Sequence, residues 1–583
     1  MIAHRLALPL LLISCVAAAL TPAFALGITE RVSVSTSEEQ ANALSRFPAI
    51  SADGRCVAFE SAASNLVADD ANSVYDVFVR NRLAGTTERV SVSSAEVEGN
   101  GASYWPSISA DGRYVAFHSS ASNLVGDDTN SVYDVFVRDR LAGTTERVSV
   151  SSAGGEGNLD SAYLSISADG RYVAFWSAAG NLVENDANGY ADIFVHDRDS
   201  GSTIRVSISS AGVEANAQSA APAISADGLY VAFESSATNL VGSDTNGMWD
   251  VFVHDRVAGT TERISISSAE IEGNYGSGWA SVSADGRYVA FWSVASNLVP
   301  GDTNATSDVF VRDRDAGTVE RVSVSSAEAQ GNAGSGRSSI NADGSYVAFS
   351  SDASDLVVGD GNGRSDIFVR DRQHGETERV SLTYAGAQAN GHSYYPSMSA
   401  DGTYVAFGSD ATNLVAGDTN AAGDIFGRGP APVPQVLLEV HPNERAPGVA
   451  TSQYLGKSPW TQPTNAPAAN YWWKTYEFAA HGPLWIQVCA QDWSSTQKGY
   501  AANDRTKLVV NGLVPTDYDL IQTGTPGSWQ WLGKNETGKR VTLRFLAPTT
   551  PGKQSLWIGA AESPAVWWLK VTDLEPDLIG PIE

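Results

Sequence analysis

Three sets of residues in this chain have the types and spacing to do chemistry. The first is a loop of the form Asp-x-Asn-x-x-x-Asp. It occurs as Asp70, Asn72 and Asp76; Asp128, Asn130 and Asp134; Asp186, Asn188 and Asp192; Asp244, Asn246 and Asp250; Asp302, Asn304 and Asp308; Asp360, Asn362 and Asp366; and Asp418, Asn420 and Asp424. Hard oxygen ligands at this spacing suit calcium, which would be a structural cofactor here. The EF-hand pattern is absent: in the loop that starts at Asp128, position 6 is Tyr133, and position 12 is Asp139 on an extended run. The same Asp and Asn side chains serve equally to cap their own backbone in Asx-turns, and both readings stay open.

The second and third sets overlap. After a recurring serine come Arg46, Tyr104 and Tyr394, and at the next position Phe47, Trp105, Tyr163, Trp279, Arg337 and Tyr395. After a recurring "VAF" come Glu60, His118, Trp176, Glu234 and Trp292. Aromatic faces with a few charges suit a sugar or peptide, held by stacking and hydrogen bonds. His118 with Tyr104 has the groups for proton transfer. For the second-position aromatics, packing between repeats is the favoured reading. His196 and His254 replace Arg138 in their copies and read as substitutions on a surface strand. There is no Gly-x-Ser-x-Gly elbow, no His-Glu-x-x-His and no zinc-type cysteine spacing.

What positions these residues is a repeat. The "ADG" aspartate falls at Asp53, Asp111, Asp169, Asp227, Asp285, Asp343 and Asp401, always 58 residues apart. Each copy holds four alternating segments, as in "YWPSIS", "RYVAFHS", "YDVFVRDR" and "TERVSVS". Four strands in 58 residues make a propeller blade, so seven copies predict an all-β, seven-bladed β-propeller over 26–429. The first "TERVSVS" precedes every blade, and the last copy stops at "DIFGRG" without its fourth strand. The N-terminal strand is therefore expected to complete the last blade and close the ring.

"SADGRYVAF" followed by "DVFVRDR" resembles the WD40-like repeats of the TolB-type β-propellers, over roughly residues 28 to 428. The resemblance implies the propeller fold. TolB itself has six blades and an N-terminal α/β domain, which this chain lacks, so a place in the Tol-Pal envelope machinery is not implied. The Gly-His and Trp-Asp marks of true WD40 repeats are also missing. Some polysaccharide lyases use seven-bladed propellers, and there His118 and Tyr104 would be the catalytic pair.

"GRGPAPVPQV" breaks the repeat, and 430–436 reads as a proline-rich linker. Beyond it composition changes: ten of the 15 tryptophans lie between Trp460 and Trp568. Strand-like runs over 437–576 predict a β-sandwich or jelly roll, with a short tail at 577–583. The order "NDRTKLVVNG", "SWQWLG", "GKQSLWIGAAESPAVWWLKV" is similar to galactose-binding-like carbohydrate modules, and that resemblance implies Trp529 and Trp531 as sugar-stacking residues.

The N-terminal stretch has Arg5, an apolar run and Ala23-Phe24-Ala25, which predicts a signal peptide over 1–25 and a secreted or periplasmic protein. The alternative is lipid attachment at Cys15 of Leu12-Ile13-Ser14-Cys15. No later apolar stretch is long enough to span a membrane. A formal charge of -28 argues against nucleic acid and anionic lipid as partners. Cys56 and Cys489 read as buried thiols rather than a cross-domain disulfide. These features together predict a monomeric, non-catalytic binding or scaffold protein, whose partner is a glycan or an envelope or extracellular protein. The competing reading is a lyase-type polysaccharide-degrading enzyme with its active site in the propeller mouth.

Overall fold

Alternation at period two makes each quoted segment a strand, and Ser-Ala-Asp-Gly folds the turn between the first two. Ser51 Oγ donates to Asp53 Oδ1 at 2.8 Å, and the same oxygen accepts the Arg55 N–H at 3.0 Å. Gly54 closes the turn with φ of 71°, a conformation open to glycine at no steric cost.

The computed structural model describes residues 27–430 in full and, after them, only the backbone of seven strands. The first blade runs Ser45–Ile50, Cys56–Ser61, Asp76–Asn81 and Thr86–Arg89, hydrogen-bonded in that order. The pattern recurs at every copy to give a seven-bladed all-β propeller. The seventh blade takes its outer strand from the other end of the chain: Ile28–Arg31 pairs antiparallel with Asp424–Gly429, Ile28 opposite Gly429. Ring closure by the N-terminal strand is as the sequence predicts. Ser33 Oγ donates to Asp424 Oδ1 at 2.7 Å, and Arg31 reaches Asp418 and Asp424 at 3.1 and 3.2 Å.

A second circuit runs around the whole ring. Each Ala-Asp-Gly turn, preceded by serine in six blades and by Asn341 in the sixth, donates its alanine N–H to the alanine carbonyl of the next blade: Ala52 to Ala110 at 3.0 Å, Ala110 to Ala168 at 2.9 Å, and so on until Ala400 donates to Ala52 at 2.9 Å.

The recurring "VAF" is the core. Val57, Ala58 and Phe59 are fully buried, and Phe59 stacks on Phe78 with centroids 6.0 Å apart. Blades interlock through these faces: Ala58, Val77 and Val79 of the first pack with Val115, Phe117 and Phe136 of the second. Each buried phenylalanine contributes about 1.5–3 kcal/mol, and the interface repeats around the ring. Cys56 is buried in it, as the sequence predicts.

The remaining strands form a four-stranded sheet, Val436–Val440, Ala565–Thr572, Pro483–Gln491 and Lys539–Leu546, and a three-stranded one, Trp472–Ala480, Gly552–Ala560 and Thr506–Val510. The expected leader at 1–25, most of the expected linker, Trp529, Trp531, the Cys489 side chain and the expected tail at 577–583 lie outside the described residues. Among the described residues no helix is long and apolar enough to cross a membrane.

Removing residues 26–36 should strip the seventh blade of its outer strand, lower Tm and promote association through the freed edge. Calorimetry with light scattering checks this. Phe117→Ala should cost about 3–5 kcal/mol in denaturant titration, as expected for an emptied aromatic site in a close-packed interface.

Candidate functional site

The innermost strand of every blade carries the same irregularity. Pairing with the second strand shifts register after Arg46, Tyr104, Ala162, Ala220, Gly278, Gly336 and Tyr394. The next residue is left-handed in all seven: Phe47, Trp105, Tyr163, Ala221, Trp279, Arg337 and Tyr395 have φ between 33° and 54°. Each such residue costs roughly 1–2 kcal/mol relative to extended backbone. The bulge turns these side chains to the propeller axis, where they meet. Phe47 stacks on Trp105 at 4.1 Å and lies 4.3 Å from Tyr395. Trp105 of the second blade stacks on Trp279 of the fifth at 5.5 Å, and Tyr163 meets Trp105 edge-on at 5.1 Å. The Arg337 guanidinium lies 3.1 Å above the Trp279 ring and 5.2 Å from both Trp105 and Tyr395. Packing between repeats, the reading favoured from sequence for this set, is present, but at the axis rather than between blade faces. A residue on a regular strand faces a neighbouring blade, whereas a left-handed one is rotated out of the sheet.

Two carboxylates brace the bulges. Glu60 Oε2 accepts the Trp105 N–H at 2.8 Å, and Glu234 Oε2 accepts the Trp279 N–H at 2.8 Å, each from the preceding blade. Glu60 is fully buried and also binds Arg46 Nε at 2.6 Å. Burial raises the pKa of both acids. A Cβ at position 278 would collide with Glu234 Oε2, so Gly278 permits this contact. Burial pushes the Arg337 pKa down to about 10, which leaves it charged at neutral pH.

The other mouth residues stand around this cluster. Arg46 covers the rings of Phe47 and Tyr75 at 5.2 and 5.0 Å. Tyr394 donates its hydroxyl to Asp410 at 2.6 Å. Trp176 meets Tyr163 edge-on at 6.1 Å, and Trp292 pairs across the strands with Gly278. His118 lies among Tyr104, Tyr133 and Tyr163 with centroids 5.5–6.3 Å away. Its Nδ1 is buried without a hydrogen-bond partner, and desolvation pushes its pKa down to about 3. At neutral pH it is an uncharged packing residue with little affinity for a proton, and its contact with Tyr104 is ring to ring.

Ala221 leaves a gap in the axial cluster. Where the other blades project a ring or a guanidinium, the fourth blade offers a methyl group, and a pocket of about 190 Å³ results. Its walls are Trp105, Tyr163, Leu164, Pro222, Trp279, Ala280, Arg337 and Ser338. Tyr163, 38% exposed, stands at the opening. The sequence reading missed Ala221, Pro222 and Ser338. The signal for Ala221 was present, since it is the one small residue in its register.

The Asp-x-Asn-x-x-x-Asp loops are Asx-turns. Asn72 Oδ1 accepts the Val74 N–H at 2.9 Å, while Nδ2 donates to Asp76 Oδ2 and Gly99 O, both at 3.0 Å. The acids are joined by a residue that spacing did not reveal: in four blades a glutamate completes a triad, Asp128, Asp134 and Glu156 for example, with carboxylate oxygens within 4.8 Å of one another. A buried arginine stands among them. Arg147 Nη1 lies 3.7 Å from Asp128, 3.8 Å from Asp134 and 2.6 Å from Glu156. Arg31, Arg89, Arg205, Arg263, Arg321 and Arg379 face the equivalent acids in the other blades. Of the two readings left open by the sequence, the Asx-turn is supported: the asparagine turns a donor inward, and a guanidinium stands among the carboxylates. The glutamate varies to glutamine in three blades, and Gln330 Nε2 then donates to Asp302 and Asp308, both at 2.9 Å.

His196 and His254 are also corrected. Both are buried, with Nδ1 2.9 Å from Thr203 and Thr261, the position in which Arg138 meets Thr145. The strand they occupy is third of four and covered on both faces, which periodicity alone could not distinguish from a surface strand.

No family model matches the sequence, and no curated relative matches it. Solved structures do show a likeness. Putative TolB from Agrobacterium tumefaciens is 19% identical over 48% of this chain and 80% of its own, with a TM-score of 0.31. TolB from Acinetobacter baumannii is 15% identical over 57% of this chain and 62% of its own, with a TM-score of 0.32. Pyrococcus horikoshii acylaminoacyl peptidase is 12% identical over 63% of this chain and 49% of its own, with a TM-score of 0.39. The chain thus spans less than two thirds of the latter two proteins. At these TM-scores the likeness carries no argument, and the propeller rests on this chain's own strand pairing.

Melting should be the same in calcium and in chelator, because arginine supplies the positive charge. Arg147→Ala should cost about 3–5 kcal/mol, since it leaves buried carboxylates without their partner. Burial first, then the neighbouring Asp134, pushes Asp128 up to about 6. An acid raised in this way takes up its proton on folding. Its stabilising contribution is complete below the unfolded value near 4 and is lost as pH rises through about 6. Asp128→Asn, which removes this acid, should therefore gain Tm relative to wild type on going from pH 5 to pH 8, read by calorimetry at both.

Proposed function

We propose that this protein is an exported, monomeric, non-catalytic binding platform whose propeller takes a ligand in the axial mouth. The observation that carries this reading is the pocket at Ala221, opened in an axial cluster otherwise filled by Phe47, Trp105, Tyr163, Trp279, Arg337 and Tyr395. Strained backbone braced by buried glutamates is what a preorganised site requires, because the walls are already in place when the ligand arrives. The neutral, desolvated His118 supports a binding role over proton chemistry at that position.

The ligand or partner is a glycan or an envelope or extracellular protein, met outside the cytoplasm. The leader-like N-terminus and the acidic charge of -28 support this setting. In the same reading residues 437–576 form a β-sandwich that attaches the molecule to glycan, with Trp529 and Trp531 as stacking residues. The antiparallel pairing of the seven strands in that region supports it.

Saturation-transfer NMR of the full chain against oligosaccharides and peptides should return ligands whose signals vanish in Trp105→Ala. Trp529→Ala with Trp531→Ala should weaken retention on glycan beads and leave the axial ligand bound. No unsaturated uronate product should form from acidic polysaccharides; product formation abolished by His118→Ala would overturn the non-catalytic reading.

A further inference from the structure

The walls of the axial pocket are apolar in every blade but one. At the axial position and the one after it, six blades carry Phe, Trp, Tyr or Ala followed by Pro, Leu or Ala. The sixth blade carries Arg337 and Ser338, polar at both, and both line the pocket.

Neither polar group is satisfied by the protein. The Ser338 hydroxyl is buried with no hydrogen-bond partner. Arg337 is held by rings, over Trp279 at 3.1 Å and 5.2 Å from Trp105. Among the described residues no hydrogen bond or ion pair engages its N–H groups. Glu234, the nearest carboxylate in charge coupling, is occupied by the Trp279 N–H at 2.8 Å. Stacking holds a guanidinium by its faces and leaves the planar edge of N–H donors open. That edge matches the two oxygens of a carboxylate. A buried hydroxyl beside it supplies a third donor. Donors left unpaired in a partly dry pocket are costly unless something binds them.

The volume narrows the ligand further. About 190 Å³ is less than the usual pocket for a drug-sized molecule and suits one ring with its substituents. Trp105, Tyr163 and Trp279 supply aromatic walls for such a ring. We infer that the axial pocket binds a carboxylate carried on a six-membered ring, the carboxylate meeting Arg337 and Ser338 and the ring packed within the walls formed by Trp105, Tyr163 and Trp279. This rests on the axial mouth being the binding site. Sugar acids and aromatic acids share the chemistry, and the test separates them.

The test is isothermal titration of the full chain with glucuronate and with benzoate, each paired with its neutral counterpart, glucose or benzamide. At least one acid should bind, with its neutral counterpart at least tenfold weaker; which acid binds names the source. Arg337→Met should weaken binding at least tenfold, and Arg337→Lys should restore only part of it, because a point charge lacks the planar fork. Ala221→Trp should abolish binding with Tm unchanged, since Trp105 and Trp279 already occupy the equivalent left-handed position. Equal binding of acid and neutral ring, lost in Ala221→Trp but indifferent to Arg337→Met, overturns the carboxylate assignment and leaves the axial site standing. Binding indifferent to Ala221→Trp overturns both. No binding by either acid overturns the carboxylate assignment.

Discussion

Closure of the ring is the constraint on which the rest of the molecule depends. Seven backbone hydrogen bonds run from turn to turn and return from Ala400 to Ala52. Such a circuit exists only if the rotations from blade to blade sum to one full turn. Side chains enforce that rotation. Tyr114 of the second blade fills the space beside Gly170 of the third, and Arg198 of the third covers the same ring at 4.4 Å. Tyr172 with Gly228 and Arg256 repeats the contact one blade on. Glycine is required at 170 twice over, once for its φ of 74° and once because any Cβ would collide with the tyrosine. The outer strand from Ile28–Arg31 then seals the last blade.

A rigid ring makes the axis a place where seven equivalent positions meet, and there the repeats differ. Strain is concentrated at the same place. A bulge with one left-handed residue recurs in each innermost strand, and where the residue is Trp105 or Trp279 a glutamate from the preceding blade accepts its N–H. The blades are thus uniform where they build the wheel and individual where they face its hub. Fold stability and the character of the hub are separated in this way: replacing an axial side chain leaves the buried "VAF" interfaces untouched.

The acidic loops show the same division of labour between local and distant residues. Asp128, Asn130 and Asp134 shape their own turn, but the charge they bury is compensated by Arg147 from the outer strand of the blade. Where glutamate completes the set the acids are crowded, and burial with mutual repulsion lifts Asp128, Asp186 and Asp244 to about 6. In two of the three blades where glutamine stands instead, its amide donates to the aspartates, as Gln40 does to Asp418 and Asp424 at 3.0 and 2.8 Å. Variation within one chain supplies the comparison that would otherwise need an engineered variant.

Strand positions, the Ser-Ala-Asp-Gly turns, the number of blades and closure by the N-terminal strand were determined by the sequence alone. They depend on a period of two, a turn of four residues and a count of copies, all of which are local or additive. The candidate mouth residues were also legible, because variation against a constant register marks them. Only tertiary structure decided that Trp105 meets Trp279, that Arg147 stands among the aspartates, that His196 and His254 are buried, and that Ala221 opens a pocket. Those facts join residues tens to hundreds of positions apart, and a linear pattern holds no distance between such residues until a closed ring fixes the angle between blades.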